Sequence, residues 1–440
     1  MRKLALHWQI IIAIVLAGIT GSIVKHYSQD GESVAVLGLE LNAVFEYVGQ
    51  LFLNALKMII VPLIASSIIV GMCGMGSSGA KLAKIGTRTL LFYAVTTLFA
   101  ILVGLAMINL VAPGQYEGRP VGDLLAFESH DVSALQEKIE NKGSTDVAEI
   151  FLRMVPPNII KASAEGQMLG IIFFSILFGF FITKLSDELR HPFQRFWDAT
   201  FKVMMGMTEW IMKFAPIGVF ALVAGVIAKT GFDAARPLAI FSLTVLGALC
   251  IHALVVLPLL LRSLARVNPW ATLRAMSPAI LTAFSTASSS ATLPVSMKSL
   301  EKNVGVSNSV SSFVLPLGAT VNMNGTALYE CAAAMFIAQA YGLDLTLGVQ
   351  FTIVVVALLT SIGVAGVPSA SLVAIAIILG VIGLPVEAIG VLMVFDRVLD
   401  MCRTSVNIWG DAVCATIIAR LEGEKTQVDL DLKSAQSSLD

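Results

Sequence analysis

Long apolar segments separated by short polar ones dominate the first part of the chain. The longest apolar runs cover Trp8 to Val24, Leu90 to Val111, Met168 to Thr183 and Leu238 to Leu261. Each run is close to or above the roughly 17 residues that an α-helix needs to cross a bilayer core. The pattern therefore predicts an all-α polytopic membrane protein with about six plain spans before residue 265.

The second part of the chain interrupts its apolar stretches with clusters of small and polar residues. The clusters are ASSSATLP at Ala287 to Pro294 and SIGVAGVPSAS at Ser361 to Ser371. Each has apolar arms that are too short to cross a membrane alone, which predicts a re-entrant helical hairpin. Two such breaks in matching positions indicate a binding site near the middle of the membrane. A packing motif of small residues is the alternative for either cluster taken alone.

Composition and charge support the membrane assignment. The 440 residues are 56% hydrophobic and 13% charged, with a net charge of −1, and the mean hydropathy is +0.84. These values lie far from the average of soluble proteins. The five cysteines mostly lie in apolar segments without paired spacing, so neither a disulfide framework nor a zinc site is indicated. We predict no nucleic-acid partner.

Lysine and arginine recur at alternate connections between the apolar segments. These residues are Arg2 and Lys3, then Lys81, Lys84 and Arg88, then Lys184, Arg190 and Arg195, then Arg262, Arg266 and Arg274. The positive-inside rule makes these connections cytoplasmic, so both termini are expected on the inner side of the cytoplasmic (inner) membrane. The polar end, Leu421 to Asp440, is expected to be a disordered cytoplasmic tail.

Charged residues are concentrated in one late apolar segment. DRVLDMCRTSVN, at Asp396 to Asn407, holds two aspartates and two arginines. At about 100° per residue, one helix stripe roughly 80° wide contains Asp396, Asp400, Arg403, Asn407 and Asp411. Ionisable groups at membrane depth are costly and normally face a cavity that has a function. The alternative is a self-neutralising network, such as Asp400 paired with Arg403.

This stripe indicates the chemistry of a ligand. An arginine fork matches a carboxylate, an aspartate can hold an ammonium group, and an asparagine can donate to a second carboxylate. An acidic amino acid carries all three groups. Asp400 argues against a C4-dicarboxylate, which has no amine, and Arg403 argues against a neutral amino acid. Cystine or another zwitterion stays open.

A third break indicates a cation site. GATVNMNGT, at Gly318 to Thr326, contains glycine and asparagine residues that disfavour a continuous helix. Asn322, Asn407 and Asp411, with nearby carbonyls, form an all-oxygen set that suits a hard cation. The sequence thus predicts a cation-driven secondary transporter without a bound cofactor. An enzyme is disfavoured because the five histidines are scattered and no nucleophile elbow accompanies the serines.

Five motifs carry a family resemblance through their order and spacing. They are LKMIIVPLIASSIIVGM at Leu56 to Met72, SSSATLP at Ser288 to Pro294, LPLGATVNMNGTALYE at Leu315 to Glu330, AGVP at Ala365 to Pro368, and DRVLDMCRTSVNIWGD at Asp396 to Asp411. The chain resembles the dicarboxylate/amino acid:cation symporter family, which includes glutamate and aspartate transporters. The resemblance covers nearly the whole chain.

The resemblance implies an architecture and an activity. It implies eight transmembrane helices plus two re-entrant helical hairpins, assembled as a homotrimer in the lipid bilayer and working by an elevator mechanism. The scaffold would comprise approximately residues 1–75 and 149–230, the moving transport part approximately 80–112 and 236–420, and the tail 421–440. The implied activity is import of L-glutamate or L-aspartate coupled to sodium, protons or both. A carrier of C4-dicarboxylates, cystine or neutral amino acids on the same fold is the alternative.

The resemblance also assigns site residues. Substrate binding would use Ser288, Ser289, Ser290, Thr326, Gly366, Val367, Asp400, Arg403, Thr404 and Asn407. Two sodium sites would use Gly318, Asn322, Asn407 and Asp411, and Thr320, Ser361, Ile362 and Val364. In members that take acidic amino acids, the arginine binds the side-chain carboxylate and the aspartate binds the amino group.

Two positions bear on ion coupling. A third sodium site of the family would use Tyr93, Thr96, Thr97 and the aspartate of an NMDGT motif, but this chain has NMNGT with Asn324. An amide brings no charge, so a buried cation there would lose its charge compensation. Glu330 lies where proton- and potassium-coupled animal relatives have glutamate and some sodium-only archaeal relatives have glutamine. We expect Glu330 to be either a proton carrier or a salt-bridged or interface carboxylate.

Overall fold

The described residues of the protein, seen in a computed structural model, are mostly α-helical. They are 6–28, 35–36, 39–75, 80–125, 155–164, 168–230, 235–363 and 371–429. The helices are α1 Leu6–Tyr27, α2 Leu41–Met75, α3 Ala80–Val111, α4 Ile159–Ala164, α5 Met168–Ile182, α6 Asp187–Met212, α7 Ala215–Thr230, α8 Ala235–Ala265, α9 Pro269–Ala275, α10 Ser277–Thr286, α11 Ser289–Ser299, α12 Asn308–Val321, α13 Asn324–Ala340, α14 Leu347–Gly363, α15 Ser371–Ile382 and α16 Ile389–Leu421.

Short strands form two small antiparallel pairs. Ala35–Val36 pairs with Leu39–Glu40, and Gln115–Tyr116 pairs with Arg119–Pro120. The second pair directly follows α3, where it turns the chain through the tight segment Glu117 to Gly118. Apart from these short pairs and a few turns, helices account for the described chain, as the apolar pattern predicts.

The apolar runs of the sequence lie within helices whose outer faces expose large apolar side chains. Two helical stretches in the described part, Ile85–Val111 and Ala235–Ala265, are long and apolar enough to cross a membrane by length and composition. On the second of them Leu243 is 68% exposed and Leu259 is 64% exposed. Large exposed apolar patches are rare on soluble monomers, whereas a lipid environment covers them.

The helices pack in two groups. One group contains α1, α2, α5, α6 and α7, and the other contains α3, α8 and α10 to α16. Within the first group α1 lies very close to α7, because a side-chain carbon at Gly21 would come within 2.8 Å of the Ala224 carbonyl oxygen. Small residues allow this kind of close helix approach in membranes. The groups meet where α16 contacts α7, where α12 contacts α2, and where α14 contacts α2 and α5.

The first serine cluster lies at the turn between two short helices. α10 ends at Thr286, Ala287 has a left-handed backbone with φ of 50°, and Ser288 caps α11 by accepting the Ala291 amide at 3.2 Å. The two helices pack on each other and both contact α16. Helices α14 and α15 also pack on each other. Residues 364–370, which hold most of the second cluster, lie outside the described residues.

The segment 421–429 is ordered, so the expectation of disorder from residue 421 onward was wrong. Glu424 accepts the Ser307 amide at 2.9 Å at the start of α12, and the Gln427 amide donates to the Val304 carbonyl at 2.9 Å. Arg420 and Asp429 form an ion pair of 2.7 Å. These contacts close the segment over the ends of α11 and α12. Residues 430–440 lie outside the described part.

Candidate functional site

A break separates α12 from α13 within the predicted motif. α12 ends at Val321 and α13 begins at Asn324, and Asn322 between them has a non-helical backbone with φ of −98° and ψ of 73°. Carbonyl groups at such a break are released from the helical hydrogen-bond pattern. Asn322, Met323 and Asn324 are each at most 2% exposed. Protein therefore encloses this irregular backbone, as membrane depth requires.

The polar stripe of α16 faces the protein interior. Asp396, Asp400, Arg403, Asn407 and Asp411 are each at most 5% exposed. Val398, on another side of the same helix, is 42% exposed. The angular arrangement derived from the sequence thus corresponds to one buried face, which contacts α12, α13 and the serine hairpin helices α10 and α11.

Arg403 lies at the centre of a buried charge cluster. Its Nη2 donates to Asp396 Oδ1 at 2.9 Å and to Asp400 Oδ1 at 3.0 Å. Its guanidinium carbon lies 3.8 Å from the ring centroid of Tyr329, a cation–π contact. Within the described chain, Nε and Nη1 of Arg403 have no hydrogen-bond partner. The self-neutralising network is therefore real, yet it leaves two buried donors that a ligand can satisfy.

Asn407 joins the stripe to the start of α13. Its Oδ1 accepts the Gly325 amide at 2.8 Å, and its Nδ2 donates to Thr326 Oγ1 at 3.1 Å. Only glycine fits at 325, because a side-chain carbon there would lie 2.7 Å from the Arg403 carbonyl oxygen. Thr404 instead donates its hydroxyl to the Asp400 carbonyl at 2.8 Å, within its own helix. The predicted substrate residues Thr326, Arg403 and Asn407 are thus brought together.

The serines predicted to bind substrate lie at the start of α11. Ser288 and Ser289 are buried and Ser290 is half-buried. α11 contacts α16, the helix that carries the stripe. Gly366 and Val367, predicted at the tip of the second hairpin, lie outside the described residues.

An all-oxygen group assembles where α12 ends. Asn322 Nδ2 donates to Asp411 Oδ1 at 2.8 Å, and Asn322 Oδ1 is buried without a partner among the described residues. Gly318 packs directly on this pair, and a side-chain carbon there would lie 2.6 Å from the Tyr93 hydroxyl. Gly318, Asn322 and Asp411, predicted to share a sodium site with Asn407, therefore meet in one place.

The three hydroxyl groups of the third predicted cation site all donate hydrogen bonds to protein oxygens. Thr97 Oγ1 donates to Asn324 Oδ1 at 2.7 Å, and the amide Nδ2 of Asn324 has no partner in the described chain. The hydroxyls of Tyr93 and Thr96 donate to backbone carbonyls of Val314 and Phe92, both at 2.9 Å. The amide oxygen is thus already engaged, and a free N–H₂ group repels a cation rather than binding it.

Glu330 is buried in α13 beside the second hairpin. Its Oε2 accepts the Thr360 hydroxyl at 3.0 Å, and its Oε1 has no hydrogen-bond partner among the described residues. In the same part of the chain no basic group lies within the 4.0 Å of a salt bridge to it. Glu330 thus forms no salt bridge with another described residue, while the proton-carrier and interface roles stay predictions.

The remaining predicted sodium ligands are only partly described. Thr320 Oγ1 donates to the Leu317 carbonyl at 3.1 Å, and Ser361 Oγ donates to the Leu358 carbonyl at 2.8 Å. Ile362 lies in α14, and Val364 lies outside the described residues. Both hydroxyls therefore donate hydrogen bonds within their own helices. A sodium ion there would be bound by backbone carbonyl oxygens and by the lone pairs of the hydroxyl oxygens.

Three residues of the site were missing from the sequence prediction. Tyr329 stacks on Arg403, Thr360 holds Glu330, and Arg397 lies with its Nη1 3.8 Å from Asp400 Oδ2. For Arg397 the available signal in the sequence was its own charge inside an apolar segment. Tyr329 and Thr360 carried no signal that distinguished them from ordinary helix residues.

Comparison with known proteins decides the family. A model of the sodium:dicarboxylate symporter family matches residues 6–421. The chain belongs to the sodium:dicarboxylate symporter family. This confirms the resemblance found in the sequence and makes the protein a member of a family of membrane transporters.

Curated relatives of this sodium:dicarboxylate symporter family member come from bacteria and animals. The proton/glutamate-aspartate symporter of Escherichia coli is 36% identical over 422 residues, covering 96% of this chain and 93% of the relative. The proton/sodium-glutamate symport protein of Geobacillus stearothermophilus is 34% identical and covers 96% of each chain. Excitatory amino acid transporter 3 of Oryctolagus cuniculus is 33% identical, covering 96% of this chain and 86% of the relative.

Proposed function

We propose that this family member is a secondary active symporter that imports the acidic amino acids L-glutamate and L-aspartate together with sodium, protons or both. The observation that carries the proposal is Arg403, a fully buried guanidinium beside two aspartates, with two donor atoms that no described residue satisfies. Buried unsatisfied donors of this kind suit a carboxylate. The names of the bacterial and animal relatives support the same substrates.

The substrate binds by replacing one of the ion pairs within the charge cluster. Its side-chain carboxylate binds Arg403, and its ammonium group binds Asp400. Arg403 keeps its second partner, Asp396, when Asp400 turns to the ammonium group, so no charge is left uncompensated. Thr326, Thr404 and Asn407, together with Ser288 to Ser290 and the hairpin residues Gly366 and Val367, complete the enclosure.

The gradient of sodium, of protons or of both supplies the driving force. The first sodium ion binds Gly318, Asn322, Asn407 and Asp411, and the second binds Thr320, Ser361, Ile362 and Val364. The unpartnered Asn322 oxygen supports the first site, since a hard cation prefers oxygen ligands. Asn324 leaves the third site without its charge. Glu330 carries a proton through the cycle instead.

The transport cycle uses an elevator arrangement. Eight transmembrane helices and two re-entrant hairpins form each subunit of a homotrimer, with both termini in the cytoplasm and the whole in the cytoplasmic membrane. Residues 1–75 and 149–230 form the scaffold, and residues 80–112 and 236–420 form the moving part. The packing of the helices in two groups supports this division, and the bacterial relatives support the location.

Uptake into proteoliposomes tests the proposed function. Labelled L-aspartate is supplied under a sodium gradient, a proton gradient, both or neither, with L-glutamate, succinate, L-serine and L-cystine as competitors. We expect uptake that requires a cation gradient and is blocked by L-glutamate but not by L-serine. Absence of L-aspartate and L-glutamate uptake under every gradient would contradict the substrate assignment.

Replacing Glu330 with glutamine is expected to remove the pH dependence of uptake. The wild-type rate should rise as the external pH falls, because the carboxylate takes up a proton before it crosses, whereas an amide cannot titrate. Glutamine keeps the oxygen that accepts from Thr360. The measurement is the initial rate of L-aspartate uptake between about pH 5 and about pH 8 at a fixed sodium gradient. Equal pH profiles for wild type and E330Q would exclude the proton role.

A further inference from the structure

The end of α8 carries exposed arginines next to exposed apolar side chains. Leu259 is 64% exposed and Leu264 is 52% exposed, and Arg262 and Arg266 are exposed beside them. Because α8 is long and apolar enough to cross a membrane, its exposed leucines are expected to face lipid. Arginines near the end of such a helix extend their charged groups to the boundary between lipid and water.

A tryptophan follows this end of α8. Trp270 is 58% exposed at the start of α9, and the exposed Arg274 lies one helical turn later, about 40° further round the axis. Tryptophan is enriched at the level of the lipid headgroups, because its ring is apolar and its N–H group is polar. An exposed indole ring between two arginines therefore indicates the headgroup region rather than bulk water.

Hydrogen bonds fix both ends of α9. At its start the Asn268 side chain accepts the Trp270 amide at 3.1 Å. At its end the Ala275 carbonyl accepts Asn303 Nδ2, from the segment that follows α11, at 3.0 Å. The exposed Lys302 directly precedes Asn303, so it adds positive charge next to the end of α9.

This part of the chain has a surplus of positive charge. The sequence contains no aspartate or glutamate between Asp233 and Glu301, whereas Arg262, Arg266 and Arg274 lie in that stretch. Within the described part of the chain, none of these three arginines forms an ion pair. The positive-inside rule assigns the connection that they occupy to the cytoplasmic side.

The carboxylates on neighbouring elements have partners of their own. Glu301 accepts the Ser311 hydroxyl at 2.5 Å, Glu424 binds the start of α12, and Asp429 pairs with Arg420 at 2.7 Å. The exposed arginines at the end of α8 and in α9 are therefore available to an anion from outside the described chain.

We propose that Arg266, Trp270 and Arg274 form a surface that binds the headgroup phosphate of an anionic phospholipid in the cytoplasmic leaflet. The two guanidinium groups bind phosphate oxygens, the indole ring lies among the headgroups, and the acyl chains lie along the exposed leucines of α8. Basic residues next to a membrane-spanning helix attract anionic lipids, and the arginine fork suits phosphate. The proposal goes beyond transport and does not depend on which amino acid is carried.

Quenching of tryptophan fluorescence by brominated lipids tests this lipid-binding surface. The full chain is reconstituted in phosphatidylcholine vesicles that contain increasing fractions of phosphatidylglycerol, with bromine on the acyl chains of one lipid at a time. The signal of Trp270 is the difference between each protein and the same protein with Trp270→Phe, which keeps an aromatic ring. The difference gives the binding constant of phosphatidylglycerol relative to phosphatidylcholine at this surface.

The test variant is Arg266→Gln with Arg274→Gln, and the matched control is Arg195→Gln with Lys213→Gln. The control also removes two exposed basic residues, but from α6 and its end, where acidic residues lie close in sequence. We expect the test variant to lower the relative binding constant about 25-fold, or about fivefold for each arginine. The control should leave the constant unchanged. Size-exclusion profiles and thermal unfolding check that each variant is folded.

Glycerol 3-phosphate in solution separates a lipid from a free phosphate. We expect it not to displace phosphatidylglycerol, because it has no acyl chains to pack against α8. Displacement at matched concentrations would overturn the proposal. So would equal binding of the two lipids by the unchanged protein, or an equal loss in the test and control variants, which a general effect of charge predicts. If the test variant fails to fold, Arg274→Gln alone decides, and it should lower the constant about fivefold.

Discussion

Replacing Arg403 with glutamine is expected to abolish concentrative uptake of L-aspartate and L-glutamate. The change removes the partner of the substrate side-chain carboxylate and leaves Asp396 and Asp400 buried without their shared cation. Truncating one partner of a desolvated charge pair in a binding site costs about 2–5 kcal/mol, which corresponds to at least about a 30-fold loss of affinity. Loss of the stacking contact with Tyr329 adds to this effect. The measurement is the KM and the maximal rate of uptake in proteoliposomes.

A second substitution separates the lost ligand contact from the surplus negative charge. Arg403→Gln combined with Asp396→Asn removes one buried carboxylate, so it should recover folding and expression without recovering uptake of acidic amino acids. Both variants should accept L-serine better than the wild type, because a neutral substrate has no side-chain carboxylate for a guanidinium to bind. Uptake of L-aspartate by Arg403→Gln with a wild-type KM would show that Arg403 does not read the side-chain carboxylate.

Local features of the sequence sufficed to predict the elements that build the site. The turn at Ser288 and the break at Asn322 follow from small and polar residues that interrupt apolar helix segments. The buried face of α16 follows from helical periodicity, because Asp396, Asp400 and Arg403 fall within one narrow stripe. Each of these features depends on neighbours a few residues away along the chain.

Contacts between helices could not be predicted in the same way. Tyr329 stacks on Arg403, Thr360 holds Glu330, and Thr97 holds Asn324, and each pair is widely separated along the chain. The hydrophobic period of one helical segment does not determine which other helix it packs against. Arg397 was missed for a simpler reason, since about 100° of rotation separates it from Asp396 and puts it outside the stripe.

The segment 421–429 shows that a polar composition does not by itself make a segment disordered. Its polar character predicts disorder, yet the part up to residue 429 is held by specific partners. Glu424 binds the exposed amide at the start of α12, and Asp429 pairs with Arg420. A free helix N-terminus and a nearby arginine supply these partners, and neither is visible in the composition of the tail itself.

Asn324→Asp is expected to make both stability and uptake more dependent on sodium. The new carboxylate would lie beside Thr97 in a fully buried position, where an uncompensated charge is costly. Sodium bound there would offset that cost. A site filled at 100 times its dissociation constant stabilises a protein by about 2.7 kcal/mol, so the melting temperature of the variant should rise with sodium more steeply than that of the wild type.

The effect is measured by thermal unfolding in sodium and in choline and by the sodium dependence of L-aspartate uptake. The matched control is Asn324→Asp with Thr97→Val, which keeps the new carboxylate and removes the neighbouring hydroxyl oxygen. The control should lose most of the gain, because a hard cation needs several oxygen ligands and not one charge alone. If Asn324→Asp and the wild type respond to sodium equally, then a single missing carboxylate is not what sets the ion coupling of this chain, and the coupling must be sought at Glu330.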